Sequence, residues 1–377
     1  MTRVLILILS VLMLGGCVGG TRSSFALQDR QGARPMGLVS DERHPIRVYL
    51  DDERRIALFR QAFHDGVPVG EDGVVDFLTL SGGGSNGAFT AGLMRGWTES
   101  GNRPDFEVVT GVSTGALAAP FVFLGSDWDD ELEEAYTSGA ASSLLQSQGL
   151  GVLFGSGIYR GEPLRALVES YVDAAMLEAV AAEYAQGRVL LVATTDIDSQ
   201  RGVSWDMGAI ASLGTPEALE LFRTVLVASA SIPGAFPPVL IASNNGDLSF
   251  EEMHVDGGVT TPFLAVPETL WSYREPSRML SQARFHVVIN GRMAPDFAVT
   301  RDSLAGVLGR SVEILLRSSL LTTIEGNRAF AERNSLFFRY AALPEDTEAS
   351  PLDFSPESMR AVFDVGRSGA LSGTIWR

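Results

Sequence analysis

A serine flanked by glycines, Gly111-Val112-Ser113-Thr114-Gly115, follows the apolar run Phe106 to Val109, and a triple glycine, Gly82-Gly83-Gly84, follows the earlier run Phe77 to Leu80. A serine in this setting sits on a sharp strand-to-helix turn, where larger residues at the flanking positions would clash with the chain. The turn leaves the hydroxyl at the end of the strand, within reach of a substrate. Phe89 to Trp97, between the two runs, has helical spacing. The segment is therefore a strand-helix-strand unit of about thirty residues, the size of a right-handed parallel crossover. Both glycine turns then fall at the carboxyl ends of neighbouring strands, the edge where ligand sites of α/β sheets form.

The alternation continues. Strands are predicted at Ile46 to Leu50, Arg188 to Thr194, Gly202 to Trp205, Met253 to Val255, Phe285 to Ile289 and Leu336 to Tyr340. Helical spacing occurs at Asp52 to His64, Glu162 to Ala182, Pro216 to Val227, Ser303 to Leu320 and Pro356 to Val365. Strands and helices in this order predict an α/β layered fold on a mainly parallel sheet, with no internal repeat and no second domain boundary. The stripe Leu304, Val307, Leu308, Val312, Leu315 and Leu316 reads as core packing. The acids of Asp127 to Glu131 suit a helix start and have no oxygen-ligand loop pattern, so no metal is expected. Gly139 to Gly161, apolar and glycine-punctuated, reads equally as a mobile cap or as a buried loop.

In a chain with 40 glycines the motif around Ser113 is weak by itself, so its context decides. The N-H groups of Gly83 and Gly84, opening a helix, can donate to the oxyanion formed when Ser113 attacks an ester. Gly82, Gly84 and Gly87 also satisfy G-x-G-x-x-G, but the next strand lacks an acid at its far end, which disfavours a dinucleotide. Two kinds of base are open to the serine. One is Asp256, opening Asp256-Gly257-Gly258 after an apolar strand; it would need partial desolvation to become basic, and D-G-G is also ordinary turn chemistry. The other is a histidine, His254 or His286; His44 and His64 lie in segments that look peripheral. His254 also stands two residues before Asp256, on the same face if the strand runs through both.

Four ordered blocks resemble those of patatin-like phospholipases: Gly82 to Gly87, Gly111 to Gly115, Ala228-Ser229-Ala230-Ser231-Ile232-Pro233 and Asp256-Gly257-Gly258. The resemblance covers about residues 75 to 260. It implies a three-layer α/β/α sandwich and a lipid acyl hydrolase of phospholipase A or lysophospholipase type, without cofactor or metal. It further implies Ser113 as nucleophile, Asp256 as proton acceptor and an oxyanion hole drawn from Gly82, Gly83, Gly84 and Gly87. Gly111, Gly115, Asn86, Gly257 and Gly258 would support these motifs. The family often carries Arg or Lys where this chain has Asn86, which removes a cation near the glycine loop. The alternatives are an α/β-hydrolase with a Ser-His-Asp triad and a non-catalytic envelope lipoprotein that binds lipid or protein.

The N-terminus bears on location. Arg3 and the apolar run Val4 to Leu14 are too short to span a bilayer and fit a cleaved signal peptide, residues 1–16. Leu14-Gly15-Gly16-Cys17 resembles the lipobox of bacterial lipoproteins, which implies acylation of Cys17, the only cysteine. Residues 17–45 read as lipidated N-terminus and tether, and 46–377 as a single hydrolase domain. Val18 rather than an aspartate after Cys17 resembles outer-membrane sorting. A formal charge of −17 argues against nucleic acid and against purely electrostatic attachment to anionic lipid.

Overall fold

The computed structural model describes residues 22–30, 32–39, 45–54, 56, 67–70, 72–145, 157–266 and 283–377. The signal segment, Cys17, His44, His64, the predicted helix beyond Ile56 and the centre of the glycine-punctuated loop, 146–156, lie outside the described residues.

The strands β1 (Arg34–Pro35), β2 (Arg47–Tyr49), β3 (Val75–Leu80), β4 (Val108–Val112), β5 (Val189–Asp196), β6 (Arg201–Asp206), β7 (Val239–Asn245), β8 (Leu248–Asp256), β9 (Ala283–Arg292) and β10 (Phe337–Leu343) form one sheet. Its main path is β1-β7-β8-β5-β4-β3-β9-β10, with β6 pairing β5 and β2. Strands β5, β4, β3, β9 and β10 run parallel, and β6, β7 and β8 are joined antiparallel. The helices are α1 (Ala88–Glu99), α2 (Thr114–Leu124), α3 (Asp129–Thr137), α4 (Glu162–Tyr171), α5 (Ala174–Ala185), α6 (Met207–Ala211), α7 (Pro216–Ser229), α8 (Leu304–Asn334) and α9 (Pro356–Leu371).

Central strands such as VDFLTL of β3 are buried along their whole length because helices cover both faces. Alternate residues go to opposite layers: Leu78, Leu80, Val109, Leu190 and Val192 join the large core with α1 to α7 and α9. Their neighbours Phe77, Val108, Leu191 and Phe285 form a second core on the other face, continued by Val287, Ile289 and Ile324 under α8. The result is the mainly parallel α/β/α arrangement expected. Helices α1 and α9 meet closely because Gly92, Gly96 and Gly366 lie where any Cβ would strike the partner backbone.

Three expectations are corrected. The segment taken for tether is part of the fold from Arg22: β1 pairs with β7, and Arg30 is buried in ion pairs with Asp196 and Glu252. Edge strand β7 needed a partner, and two buried carboxylates needed a cation. The helix predicted over Glu162 to Ala182 is two helices, because Asp173 turns out of α4 and caps α5 through the Met176 N-H. The apolar stripe of α8 is not core: Leu304, Val307, Leu308, Val312, Leu315 and Leu316 are all exposed.

Candidate active site

The register of β5 brings Ser113 and Asp256 together. β4 runs parallel to β5 and ends with Val112 opposite Ala193. β8 comes from the other direction, antiparallel to β5, and ends with Asp256 opposite Thr194. Two strands therefore meet end to end along the same side of β5, at adjacent positions, and their carboxyl termini present Ser113 and Asp256 to each other. The Ser113 hydroxyl lies close enough to the Asp256 carboxyl to favour its charged form. Gly257 fits this junction because a Cβ there would collide with the Ala193 carbonyl and press on Val112.

Ser113 has φ 56° and ψ −127°, a conformation that costs a non-glycine residue on the order of 1–3 kcal/mol and is held here by its surroundings. Gly111 and Gly115 make the turn sterically possible, since a Cβ on Gly111 would strike the Gly115 carbonyl and one on Gly115 the Leu80 carbonyl. Helix α2 starts at Thr114, so its positive end lies behind Ser113. The Ser113 N-H donates to Ser229 Oγ at 3.0 Å, and Ser229 Oγ donates to the Ala193 carbonyl at 2.7 Å. Ser229 thus bridges the place where the chain of β4 peels away from β5. Two residues on, the Ser231 carbonyl accepts the Asp256 N-H at 3.0 Å. The block after α7 therefore holds both partners of the pair.

Asp256 is 6% exposed, and burial pushes its carboxyl up to about 6 despite the nearby Ser113 hydroxyl and the hydrogen bond from the Gly258 N-H at 2.7 Å. No cation among the described residues forms an ion pair with it. A carboxylate held near neutrality in this way can accept a hydroxyl proton.

The glycine loop divides its labour more finely than its sequence suggests. The Gly82 N-H donates to the Pro262 carbonyl at 3.3 Å, and a Cβ here would stand 3.1 Å from Ser113 Cβ, so Gly82 serves close approach. Gly87 packs against Thr114 and Tyr136, where a side chain would not fit; its part is helix packing. Gly83 and Gly84 are left as donors: neither N-H meets an acceptor among the described residues, and both open the short turn Gly84–Gly87 before α1. Asn290 locks this loop, its N-H donating to Ser81 Oγ at 2.9 Å and its Nδ2 to the Ser81 carbonyl at 2.8 Å. Asn86 is buried beside it.

Neither described histidine reaches Ser113. His254 is fully buried, with Nδ1 3.0 Å from Thr194 Oγ1 and Nε2 3.8 Å from Glu252. His286 lies below the edge, opposite Leu78 of β3; its Nε2 bonds to Asp76 at 2.8 Å and its Nδ1 accepts from Arg339 at 2.8 Å. The described residues contain no His, Cys, Asp or Glu cluster able to hold a metal.

An apolar cavity begins at Gly84 and Thr114 and runs between Leu117, Phe121, Leu144 and Leu226. Tyr136 lines it with its ring only, because its hydroxyl is spent on the Thr114 carbonyl at 2.7 Å and on Thr114 Oγ1 at 3.0 Å. Ser229 and Asn290 were given no individual role by sequence reasoning. The available signals were a serine directly after an apolar helix and Asn290-Gly291 at the end of a parallel strand.

The crystal structure of VipD from Legionella pneumophila is similar to this chain with a TM-score of 0.45 and 13% identity, over 82% of this chain and 70% of that one. Among curated proteins none matches significantly. A family model described as patatin-like phospholipase matches residues 78–267, just over half of the chain and every element of the site above except Asn290. This chain belongs to the patatin-like phospholipase family.

Proposed function

We propose that this chain hydrolyses carboxylic esters of lipids through an acyl-enzyme on Ser113, with Asp256 as the base and no histidine. The observation that carries the reading is the buried Asp256 carboxyl, set beside Ser113 by the register of β4 and β8 on β5 and pushed up to about 6. The Ser113 proton passes to Asp256 as Oγ bonds to the ester carbon. The carbonyl oxygen takes the displaced electron pair and receives the Gly83 and Gly84 N-H groups. Collapse breaks the bond to the alcohol, which leaves with the proton from Asp256. Water then attacks the acyl-serine, giving a proton to Asp256, and the acid departs as Ser113 is reprotonated. The apolar cavity beside Thr114 suits the acyl chain, since it offers contact without unpaired polar groups. Acylated Cys17 would hold the enzyme on the envelope membrane, with the outer membrane favoured by Val18.

The test is labelling with a fluorophosphonate, which traps an activated serine, followed by peptide mass spectrometry. The expected result is one adduct, on Ser113, lost in Asp256→Asn and kept in His254→Ala. Labelling that survives Asp256→Asn, or none on the folded chain, would refute the mechanism.

A further inference from the structure

We infer that the N-terminal half of α8 is a lipid-bilayer docking element that sets the Ser113 edge of the sheet against the membrane. The inference rests on the lipid-ester reading and on acylation of Cys17. Arg317 donates to the Met293 carbonyl at 3.2 and 3.1 Å, which puts the middle of α8 level with the end of β9. Residues 304–316 therefore overhang the carboxyl edge by about 20 Å, at 1.5 Å per residue. The other half, with Ile324, Asn327 and Phe330, is buried against the sheet.

At 100° per residue, the exposed apolar residues of the overhang, from Leu304 to Leu316, spread over an arc of about 200°. Arg310 and Arg317 stand on the opposite side, and both donate to backbone carbonyls of the loop after β9, at Asp296 and Met293. The polar side is thus tied to the protein and the apolar arc faces outward. Phe297 and Val299, 92% and 87% exposed, extend it into the preceding loop. The arc is wider than the seam one partner helix covers, and it matches a helix lying in an interface.

Two further observations select a bilayer over a second copy. Residues 292–317 carry four arginines against three acids in a chain of net charge −17, so this segment does not share the acidity that anionic headgroups repel. Arg22 bonds to Asp198, in the turn after β5, and to the Glu251 carbonyl, which places it beyond the same carboxyl edge. Cys17 is five residues earlier, within about 18 Å of extended chain. Arg22, the Ser113 edge and the overhang all lie on one side of the molecule, and the chain length leaves Cys17 free to reach the same side.

The test uses the chain from Val18, which keeps every described residue and lacks the acylated cysteine, with phosphatidylcholine vesicles. Flotation measures binding, and p-nitrophenyl butyrate, a monomeric ester, reports the site. The wild-type chain is expected to float with vesicles. Leu308→Glu/Leu315→Glu is expected to bind at least about tenfold more weakly, to lose vesicle-phospholipid hydrolysis in proportion, and to keep its urea midpoint and butyrate hydrolysis. A wild-type chain that does not float, or a double variant that floats equally, overturns the inference. A wild-type dimer that the double variant makes monomeric assigns the face to a second copy and also overturns it. Failure of the catalytic reading shows separately, as absent butyrate hydrolysis with flotation intact.

Discussion

Replacing Asp256 by asparagine should abolish ester hydrolysis and at the same time make the protein more stable at neutral pH. Burial raises the Asp256 carboxyl from its ordinary 3.8 to about 6, so the folded state holds this proton more tightly than the unfolded chain does. As pH rises through that window the unfolded chain gives up the proton first, and the wild type loses stability; below 3.8 the two states are equally protonated and nothing is lost. A gap of about two pH units, at 1.36 kcal/mol each, comes to ~3 kcal/mol at pH 8. The same relation leaves about 0.5 kcal/mol at pH 4. Asparagine carries no charge at either pH and keeps an oxygen for the Gly258 N-H, so it should escape the penalty. Urea unfolding of both proteins at pH 8 and pH 4 measures the difference. If the variant is no more stable at pH 8, or gains equally at both pH values, the carboxylate is not a desolvated base.

The remaining predictions concern the same junction. With Asp256 as base, kcat/KM for a soluble ester should climb with pH to a plateau above about 6, and a pH-rate profile flat down to pH 4 would contradict this. Ser113→Ala and Ser113→Gly should both lose hydrolysis, but glycine relieves the strained φ, so it should unfold roughly 1 kcal/mol later than alanine; equal stabilities would mean that the turn stores no strain. Ser229→Ala leaves the Ser113 N-H and the Ala193 carbonyl unpaired, which should cost about 1–3 kcal/mol in urea unfolding and lower kcat more than it changes KM. Leu117→Trp should narrow the cavity and lower activity on long acyl esters relative to butyrate by about tenfold, ~1.4 kcal/mol, and an unchanged ratio would place the acyl chain elsewhere.

What the sequence revealed was written in local chemistry. The glycines around Ser113 and after β3 punctuate runs that favour tight turns, so the parallel crossover and the turn at Ser113 were legible in local chemistry, whereas Asp256 stood beside histidine alternatives until the family resemblance singled it out. Helix α2 was implied only by the strand-to-helix turn at Ser113 and its extent was not read, because TGALAAPFVFL is apolar on every side and carries no 3.6-residue period. The β7–β8 hairpin was only partly seen: it exposes Leu240 near one end and Leu248 beside the turn, which blurs the alternation, although Asn245-Gly246 is a turn signal. For α8 the period was read correctly but its destination was not. An amphipathic stripe states that something covers it, and only the position of Arg317 level with the sheet edge shows that half of the helix has passed the core.

The chemistry of the pair also depends on where the cations around β8 are placed. Glu252, His254 and Asp256 alternate along one strand and are all buried, so burial alone would push both carboxyls upward. At Glu252, His254 and Arg47 outweigh that burial and hold it down at about 2. Arg30, brought in by the N-terminal segment, adds its charge between Glu252 and Asp196. Among the described residues no cation pairs with Asp256, four residues away, where desolvation wins and the carboxyl rises to about 6. Two carboxyls on one strand are thereby driven apart, one into a standing charge that fastens the N-terminal segment and one into a group that holds its proton up to near neutrality. A one-residue slip of β8 against β5 would turn Asp256 to the opposite face and remove it from Ser113. The Arg30, Arg47 and Glu252 ion pairs resist that slip, so the basicity of Asp256 and its position depend on the same cluster.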